Sequence, residues 1–518
     1  MAVRKAGAER IFRVSFAVAV ALIAPGCFDA IVETDAGFHV VVGRDILHGS
    51  LPRINGHSWI AHDQPWFSTY WLFDAACAAL DGWLGPLGLQ LLTLAMGVAT
   101  LFLCGKLLSR GGRLGPLLLP AIAVLLDSRL RPRPHCATWI AIAAVILAGL
   151  AARERGPLLR WLALIPIAID TNLHAGAAFA SALLGLFFFE AFLLSRKKTE
   201  LLGVAAAPAV LLLNPNGWLN VRYLFAHLDV DSLLPLREFA APSWPASAAF
   251  FVAWAVALAV GLLAPKRHGA VLAGAVLFGA LGLFAARMQY EFFIVATPLL
   301  GEALELATGK LGRRAAALAA FSVFALCVLQ VDYVVRLAVL DLGPKYDSAV
   351  LPVRAARYVQ DHGLAGHYYN SYDDGGYLMY ALPDQPVFFD GRLHAYPASL
   401  YAKLREGERS PTAFDAFLRS SGVEWAIVQR RNAVTTGDKL LDAQPGWALI
   451  YWDDINEIFV RRDVQRWAAL VAGEELHFLR PSGIHEGPAD SVRAEADRLL
   501  RYSPRDPLLL SARALARP

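Results

Sequence analysis

Two acidic residues and a histidine lie just after the first apolar stretch, at a spacing that could support chemistry. One residue separates Glu33 from Asp35, and His39 follows four residues after Asp35. Carboxylates arranged in this way can hold a hard divalent cation, or one of them can remove a proton from a hydroxyl as a general base. A solvated helix end would have the same composition, so the pattern alone leaves both interpretations open.

Three arginines form a second candidate site. Arg129, Arg131 and Arg133 alternate with leucine and proline in an extended stretch. A guanidinium group stays charged at any relevant pH and binds phosphate through two parallel hydrogen bonds. The stretch therefore indicates a site for a lipid phosphate. General headgroup contact, or salt bridges to Asp127, would be the structural alternative.

Two further polar sets have the spacing of a helix face. Asp170 and His174 are four residues apart with Asn172 between them, and Arg287 precedes Glu291 by the same interval. Side chains four apart are neighbours on a helix. The first set could bind a sugar or position an acid, or it could fill a helical corner with satisfied hydrogen bonds. The second set could form a simple ion pair.

The elements that must position these residues are mostly helices in a membrane. Of the 518 residues, 56% are hydrophobic and 18% are charged, and the mean hydropathy is +0.44. Soluble domains carry roughly a quarter charged residues, so we predict a polytopic α-helical membrane protein. The net charge of +4 is too balanced for nucleic-acid binding, and no Cys/His spacing is typical of a zinc site.

About eleven transmembrane helices are expected from apolar runs, several of them short. Residues 66–82 are apolar but contain Asp74 and Asp81, which favours an amphipathic helix lying at the membrane surface. The predicted spans are 12–31, 85–108, 114–127, 136–152, 158–171, 175–194, 200–214, 246–264, 269–286, 289–307 and 314–338.

The orientation follows from basic residues, which concentrate in cytoplasmic loops. With the N-terminus inside, every inner loop is basic and an odd number of spans places the tail outside. The candidate site residues all lie in outer loops, where ionisable groups indicate function. The basic residues of the inner loops are Lys106, Arg110, Arg113, Arg153, Arg155, Arg160, Arg196, Lys197, Lys198, Lys266, Arg267, Lys310, Arg313 and Arg314.

The tail alternates short strands and helices, which predicts a soluble α/β domain over 341–463 after a membrane domain over 1–340. Strands are expected near 367–369, at 387–389 and 425–428, and as an antiparallel pair at 447–451 and 457–460. Residues 464–518 are predicted to be a helical tail resembling one tetratricopeptide-like pair, which cannot bury its own apolar face and should pack on the domain.

Taken together, these pieces resemble the GT-C superfamily of membrane glycosyltransferases, in a bacterial group related to protein O-mannosyltransferases and the lipid A aminoarabinose transferase. The resemblance spans roughly residues 15–465. The segments that carry it are 33–39, 43–49, Leu51-Pro52, 66–85, 131–134, 172–176, 213–217, 374–378 and Phe389-Asp390-Gly391-Arg392.

The resemblance implies a transferase that takes a sugar from a polyprenyl-phosphate donor on the outer face of a bacterial inner membrane. Asp35 would be the general base, with Glu33 as its partner, and the two would hold a divalent cation such as Mg²⁺ or Mn²⁺ if one is used. The donor phosphate would be bound by Arg129, Arg131, Arg133 and Arg287. The sugar or acceptor pocket would contain His39, His62, Asp63, Asp170, Asn172 and His174.

Three positions depart from the group's pattern. Glu33 replaces an aspartate, Phe38 replaces a tryptophan and Asn55 replaces an aspartate, although His62 and Asp63 lie close by in sequence. The departures leave metal dependence open, and the acceptor can be a protein, a lipid or a polysaccharide. Two other functions compete with the enzyme: a transporter or flippase of lipid-linked sugars, and a non-catalytic subunit for envelope assembly.

Overall fold

The protein forms two compact units that divide the chain differently from the boundaries expected at 340 and 463. The structure, a computed structural model, describes residues 2–230, 240–430, 437–442 and 444–515. The first unit contains residues 1–30 and 69–344, and the second contains residues 31–68 and 345–518. The expected membrane domain over 1–340 therefore loses 31–68, because this loop makes its contacts with the tail.

Helices of the first unit coincide with the predicted spans, and each expected span is helical over most of its length. Four of the described helices are long and apolar enough to cross a membrane. They are Ala6–Cys27, which lies within α1, Pro86–Gly111 (α4), His135–Arg155 (α6) and Ala177–Ser195 (α9). The chain is a helical membrane protein, and the count of eleven spans stays a prediction. The helices are α1 Ala2–Cys27, α3 Trp71–Leu84, α4 Pro86–Gly111, α5 Leu119–Asp127, α6 His135–Arg155, α7 Leu158–Leu162, α8 Leu164–Leu173, α9 Ala177–Ser195, α10 Lys198–Ala209, α11 Trp218–Val230, α12 Ala248–Leu263, α13 Pro265–Phe284, α14 Gln289–Gln330 and α15 Tyr333–Ala338, with α2 in the second unit.

Close helix packing in the first unit depends on small residues. A Cβ atom at Gly111 of α4 would overlap the carbonyl oxygen of Pro298 on α14, and one at Gly301 of α14 would meet the carbonyl of Leu108. Small residues allow membrane helices to approach this closely. The long helix α14 is interrupted at Gly312, which has a φ of 81°, and this break separates the two spans predicted around it.

The helix expected at the surface over 66–82 begins later, since α3 covers Trp71–Leu84 and residues 66–70 are not helical, and its acidic residues face inward. Asp74 and Asp81 are both buried, and α3 packs against α4 and α8. Trp83 is the strongly exposed residue of this helix. A spacing of seven places Asp74 and Asp81 on the same face of the helix, and that face is buried.

The second unit is built on a four-stranded mixed sheet in the order β1-β2-β4-β3. Strand β1 pairs with β2 in parallel, and the other pairings are antiparallel. The strands are β1 Tyr368–Asn370, β2 Trp425–Gln429, β3 Trp447–Trp452, β4 Asn456–Arg461, β5 Leu479–Arg480 and β6 Gly483–Ile484; the helices are α2 Ala36–Leu47, α16 Val353–Asp361, α17 Gly375–Ala381, α18 Ala398–Gly407, α19 Pro411–Ser420, α20 Gly437–Asp442, α21 Ala468–Glu474, α22 Ala489–Leu500 and α23 Pro507–Leu515.

Two expectations for the tail need correction. Residues 387–389 are buried as expected, but they form no strand; Val387 makes a single bridge to Ser58 of the first loop. The apolar run arises because this segment is enclosed between loop and domain. Residues 464–518 are largely helical but also contain the short hairpin of β5 and β6.

The terminal helix pair packs on the domain through a buried carboxylate. Glu495 of α22 accepts hydrogen bonds from the backbone N–H groups of His477 (2.8 Å), Phe478 (3.0 Å) and Leu479 (2.7 Å). Its side chain is buried. The indole of Trp452 on β3 donates to the Leu479 carbonyl, at 3.1 Å, so the same segment is attached to the sheet.

We expect Glu495→Ala to destabilise the second unit by roughly 2–4 kcal/mol, because it leaves three backbone donors without their acceptor in a largely buried place. Thermal unfolding of the purified full chain, followed by tryptophan fluorescence, would measure the loss. Asp490→Ala, at an exposed position in the first turn of α22, is the matched control. Equal melting temperatures for the two variants would contradict this role for Glu495.

Candidate functional site

The acids of the first loop introduce helix α2 within the second unit. Asp35 immediately precedes the helix, and its backbone N–H donates to Glu33 Oε1 at 3.2 Å. Glu33 is buried, and His39 is buried on the first turn of α2 with its ring centroid 4.2 Å from that of Phe38. The structure therefore places Glu33, Asp35 and His39 together at one helix start.

Glycine residues bring two tail segments into direct backbone contact with this helix start. A Cβ atom at Gly37 would overlap the carbonyl oxygen of Gly376, and one at Gly376 would overlap that of Thr34. A Cβ at Gly391 would overlap Asp35 Oδ1. Helices α2 and α17 are packed together. The segments 33–39, 374–378 and 389–392, which are far apart in sequence, thus form a single site.

A fully buried ion pair holds the 390–392 turn. Arg392 donates to Asp390 through Nε (2.8 Å) and Nη2 (2.6 Å), and Tyr396 O–H donates to Asp390 Oδ2 at 2.7 Å. The guanidinium lies 4.7 Å from the ring centroid of Trp66 in the first loop. Burial alone would raise the pKa of Asp390, but the Arg392 charge and these hydrogen bonds outweigh it and lower that pKa below its ordinary value.

Two neighbouring side chains were not among the candidate site residues, although Asp374 begins one of the segments that carry the resemblance. Burial, Tyr401 and the Asp35 charge raise the pKa of Tyr372 well above its ordinary value, so a neutral phenol stands near Asp35. Asp374 is buried and accepts from Asn456 Nδ2 of β4 at 2.7 Å, which fixes the start of α17 to the sheet. The sequence feature that could have pointed to these side chains is the acidic pair Asp373-Asp374 directly before two glycines.

Other first-loop candidates lie in different surroundings. His62 Nδ1 and Asp63 Oδ1 are 3.1 Å apart, and Asp63 is 97% exposed, so their assignment to the pocket gains no support from their contacts. Asn55 is buried and donates to the Ala395 carbonyl at 3.0 Å. Only an amide or another donor can make that bond, which explains why asparagine rather than aspartate is accommodated there.

In the first unit, the arginine stretch connects α5 to α6 and is half-buried. The guanidinium of Arg129 lies 5.7 Å from the ring centroid of Tyr290, and Tyr290 Oη is 3.0 Å from Ser128 Oγ. Asp127 Oδ2 pairs with Arg336 Nη2 at 3.0 Å. Arg131 of the stretch also interacts electrostatically with Asp127, so the alternative that explains the arginines by salt bridges to Asp127 stays open.

Asp170 and His174 meet through a residue of another helix. Thr138 Oγ1 of α6 lies 3.0 Å from Asp170 Oδ2 and 2.9 Å from His174 Nδ1. His174 is extended rather than helical, so the two side chains do not share a helix face as expected. Gly176 N–H also donates to His174 Nδ1, at 3.0 Å, so this nitrogen is an acceptor and the proton of a neutral ring is on Nε2.

Asn172 is separated from this pair by its own hydrogen bonds. It accepts from the Trp71 indole at 2.8 Å and donates to the carbonyls of Ala168 and Leu213, each at 2.9 Å. These bonds fasten α8 to α3 and to the turn after α10. For Asn172, the contacts support a helical corner rather than a pocket.

Arg287 and Glu291 flank the start of α14. Glu291 is buried and accepts from the Trp139 indole of α6 at 3.1 Å. Arg287 is half-buried in a single turn of 3₁₀ helix over Ala286–Met288. Glu291 thus ties α14 to α6.

Metal binding gains no geometric support. Among the described residues, no group of three or more histidine, cysteine, aspartate or glutamate side chains is placed to hold an ion. Glu33 already accepts the Asp35 backbone N–H. No chemical step is therefore assigned to a metal.

The fold is similar to that of solved glycosyltransferases of the GT-C type. A crystal structure of the Archaeoglobus fulgidus oligosaccharyltransferase with Zn and sulfate has a TM-score of 0.57, at 11% identity over 97% of this chain and 83% of that one. The archaeal oligosaccharyltransferase AglB of the same organism, in complex with an inhibitory peptide and a dolichol-phosphate, has a TM-score of 0.55 at 11% identity, over 82% of this chain and 69% of that one.

The mycobacterial arabinofuranosyltransferase AftD (mutant R1389S) is also similar, with a TM-score of 0.51 at 14% identity over 87% of this chain and 41% of that one. No protein-family model and no curated protein sequence matches the chain. At these identities, the likeness concerns the fold.

We expect Arg392→Met to cost about 3–5 kcal/mol at pH 7, because it leaves the ionised Asp390 buried without its partner. The double variant Asp390→Asn/Arg392→Met removes both charges and should recover part of the loss. Thermal unfolding of the full chain measures both. If Arg392→Met proved at least as stable as the double variant, the ion pair would not stabilise this turn.

Proposed function

We propose that this protein transfers a sugar from a polyprenyl-phosphate donor to an acceptor on the outer face of the bacterial inner membrane. The observation that carries the proposal is the position of Asp35, whose carboxylate rests on Gly391 where the first loop meets two tail segments. The GT-C fold supports the general class, and one similar structure is described as a complex with a dolichol-phosphate.

Asp35 is assigned the role of general base. As the acceptor hydroxyl or other nucleophile attacks the anomeric carbon, its proton passes to the Asp35 carboxylate. The bond between that carbon and the phosphate oxygen breaks, and polyprenyl phosphate leaves with the electron pair. A single displacement of this kind inverts the anomeric centre. Glu33 supports Asp35 by accepting its backbone N–H.

The arginine stretch is assigned to the donor phosphate. The phosphate gains negative charge as it leaves, so fixed guanidinium groups stabilise the transition state more than the bound donor. Arg129, Arg131 and Arg133 belong to one short connection between helices, and the packing of Arg129 on Tyr290 limits its freedom. Arg287, in the turn before α14, is the fourth proposed phosphate ligand.

His39 is assigned to the sugar or acceptor pocket because it is buried on the first turn of the helix that Asp35 introduces. Asp170 and His174 form a second polar cluster with Thr138, and both are also assigned to the sugar or acceptor. The proposed orientation has the N-terminus in the cytoplasm and the tail outside, since the basic loops favour it.

We expect Asp35→Asn to abolish transfer, because an amide cannot take the acceptor proton. The assay uses purified full chain in lipid with a panel of polyprenyl-phosphate sugars, with and without chelator, and the chelator series reports any need for a metal. The control is Asp45→Asn on the same helix, which exchanges a carboxylate that pairs with His57. Turnover in Asp35→Asn would refute the base. Binding of polyprenyl phosphate without turnover in the wild type would favour a carrier or assembly role.

For the donor site, we expect Arg131→Gln to raise the KM for the donor by about 10–100-fold, which corresponds to the loss of one charge-assisted hydrogen bond. Arg155→Gln is the matched control, since Arg155 is exposed at the opposite end of α6. A donor KM that rises equally in both variants would indicate a general effect of surface charge. An unchanged KM in Arg131→Gln would remove this residue from the phosphate site.

A further inference from the structure

The carboxylate of Asp35 lies against the main chain of Gly391. A Cβ atom at position 391 would overlap Asp35 Oδ1 and would lie 3.4 Å from the Phe38 ring. Gly391 does not have a positive φ, so its backbone conformation is open to other residues. The need for glycine at this position is therefore steric, and the group that needs the space is the Asp35 carboxylate.

Gly391 is held in place by its two neighbours. Asp390 and Arg392 are both buried and form a bidentate ion pair across it, and Arg392 N–H also donates to Asp390 Oδ1 at 2.9 Å. Tyr396 adds a hydrogen bond to the same carboxylate. Two charged groups that satisfy each other in a closed turn leave the glycine between them little freedom.

Asp35 is fixed from the opposite side by backbone contacts. Its own N–H donates to Glu33. The carbonyl of the preceding residue, Thr34, is in contact with Gly376. Two residues after Asp35, Gly37 packs on the Gly376 carbonyl. The main chain of Asp35 therefore cannot move away if its carboxylate is pushed.

We propose that Gly391, held by the Asp390–Arg392 pair, is the positioning residue that sets the direction of the Asp35 carboxylate. This inference rests on the proposed function and adds a residue to its machinery. A base displaced by about 1 Å loses on the order of 100-fold in rate. A methyl group at position 391 would force such a displacement, because the atom that it would overlap is an oxygen of the Asp35 carboxylate itself.

The test compares Gly391→Ala with Gly473→Ala in the transfer assay on the full chain. Gly473 has nothing within 4 Å of its ideal Cβ and belongs to the same unit. We expect Gly391→Ala to lower kcat about 100-fold with the donor KM changed by less than threefold, and Gly473→Ala to behave as wild type. A wild-type kcat in Gly391→Ala would overturn the inference while leaving the function intact. Absence of turnover in the wild type would instead refute the function.

A double-mutant cycle separates positioning from general damage to the fold. Asp35→Glu already moves the carboxylate by one methylene, so adding Gly391→Ala should cost much less than the sum of the single effects. Full additivity of the two losses would indicate that Gly391 acts on the fold and not through Asp35, and would overturn the inference.

If Gly391→Ala does not fold, Tyr396→Phe provides a milder perturbation without added volume. It removes only the hydrogen bond to Asp390. We expect kcat to fall several-fold at constant donor KM, with the same lack of additivity towards Asp35→Glu. An unchanged kcat, or a loss that adds in full, would contradict positioning by this turn.

Discussion

Direct contact between main chains at glycine residues is the constraint on which the second unit depends. Gly37 and Gly376 bring α2 and α17 together, and Gly375 lies against the Phe389 carbonyl. Side chains at these positions would separate the first loop from the tail. Protein interiors are packed as densely as organic crystals, so a methyl group inserted between these two main chains would shift every residue at the start of α2. The position of Asp35 is a consequence of this packing.

Buried charges complete the arrangement that the glycines allow. The Asp390–Arg392 pair is deeply buried, where an isolated charge would be costly, and its hydrogen bonds with Tyr396 and its contact with Trp66 compensate for the lost water. Trp66 belongs to the first loop, so this pair also connects the loop to the tail. In the first unit, polar groups serve a similar purpose: Thr138 joins Asp170 to His174, and Asn172 fastens α8 to its neighbours.

Local pattern predicted the elements well. The apolar runs gave the helices of the first unit within a few residues, since a membrane helix is defined by its own composition. The strands 425–428, 447–451 and 457–460 also occur, because runs of aromatic and aliphatic residues favour strands, and these three are buried over nearly their whole length. Residues 387–389 have the same composition but lie between Ser58 and the domain with one bridge only. The apolar composition of residues 387–389 correctly indicates a buried segment, but a buried segment can be either a strand or an enclosed loop.

The amino-acid sequence was enough to establish a helical membrane protein, to locate most of its helices and to single out the charged residues near the ends of those helices. It also contained Gly375-Gly376 and Asp390-Gly391-Arg392, but as separate motifs without a common place. The packing of the folded chain was needed to show that the 31–68 loop belongs with the tail and that Asp35 rests on Gly391. Contacts between segments more than three hundred residues apart depend on how closely two backbones can approach. That closeness is a property of the packed chain, which no local pattern of hydrophobicity or charge expresses.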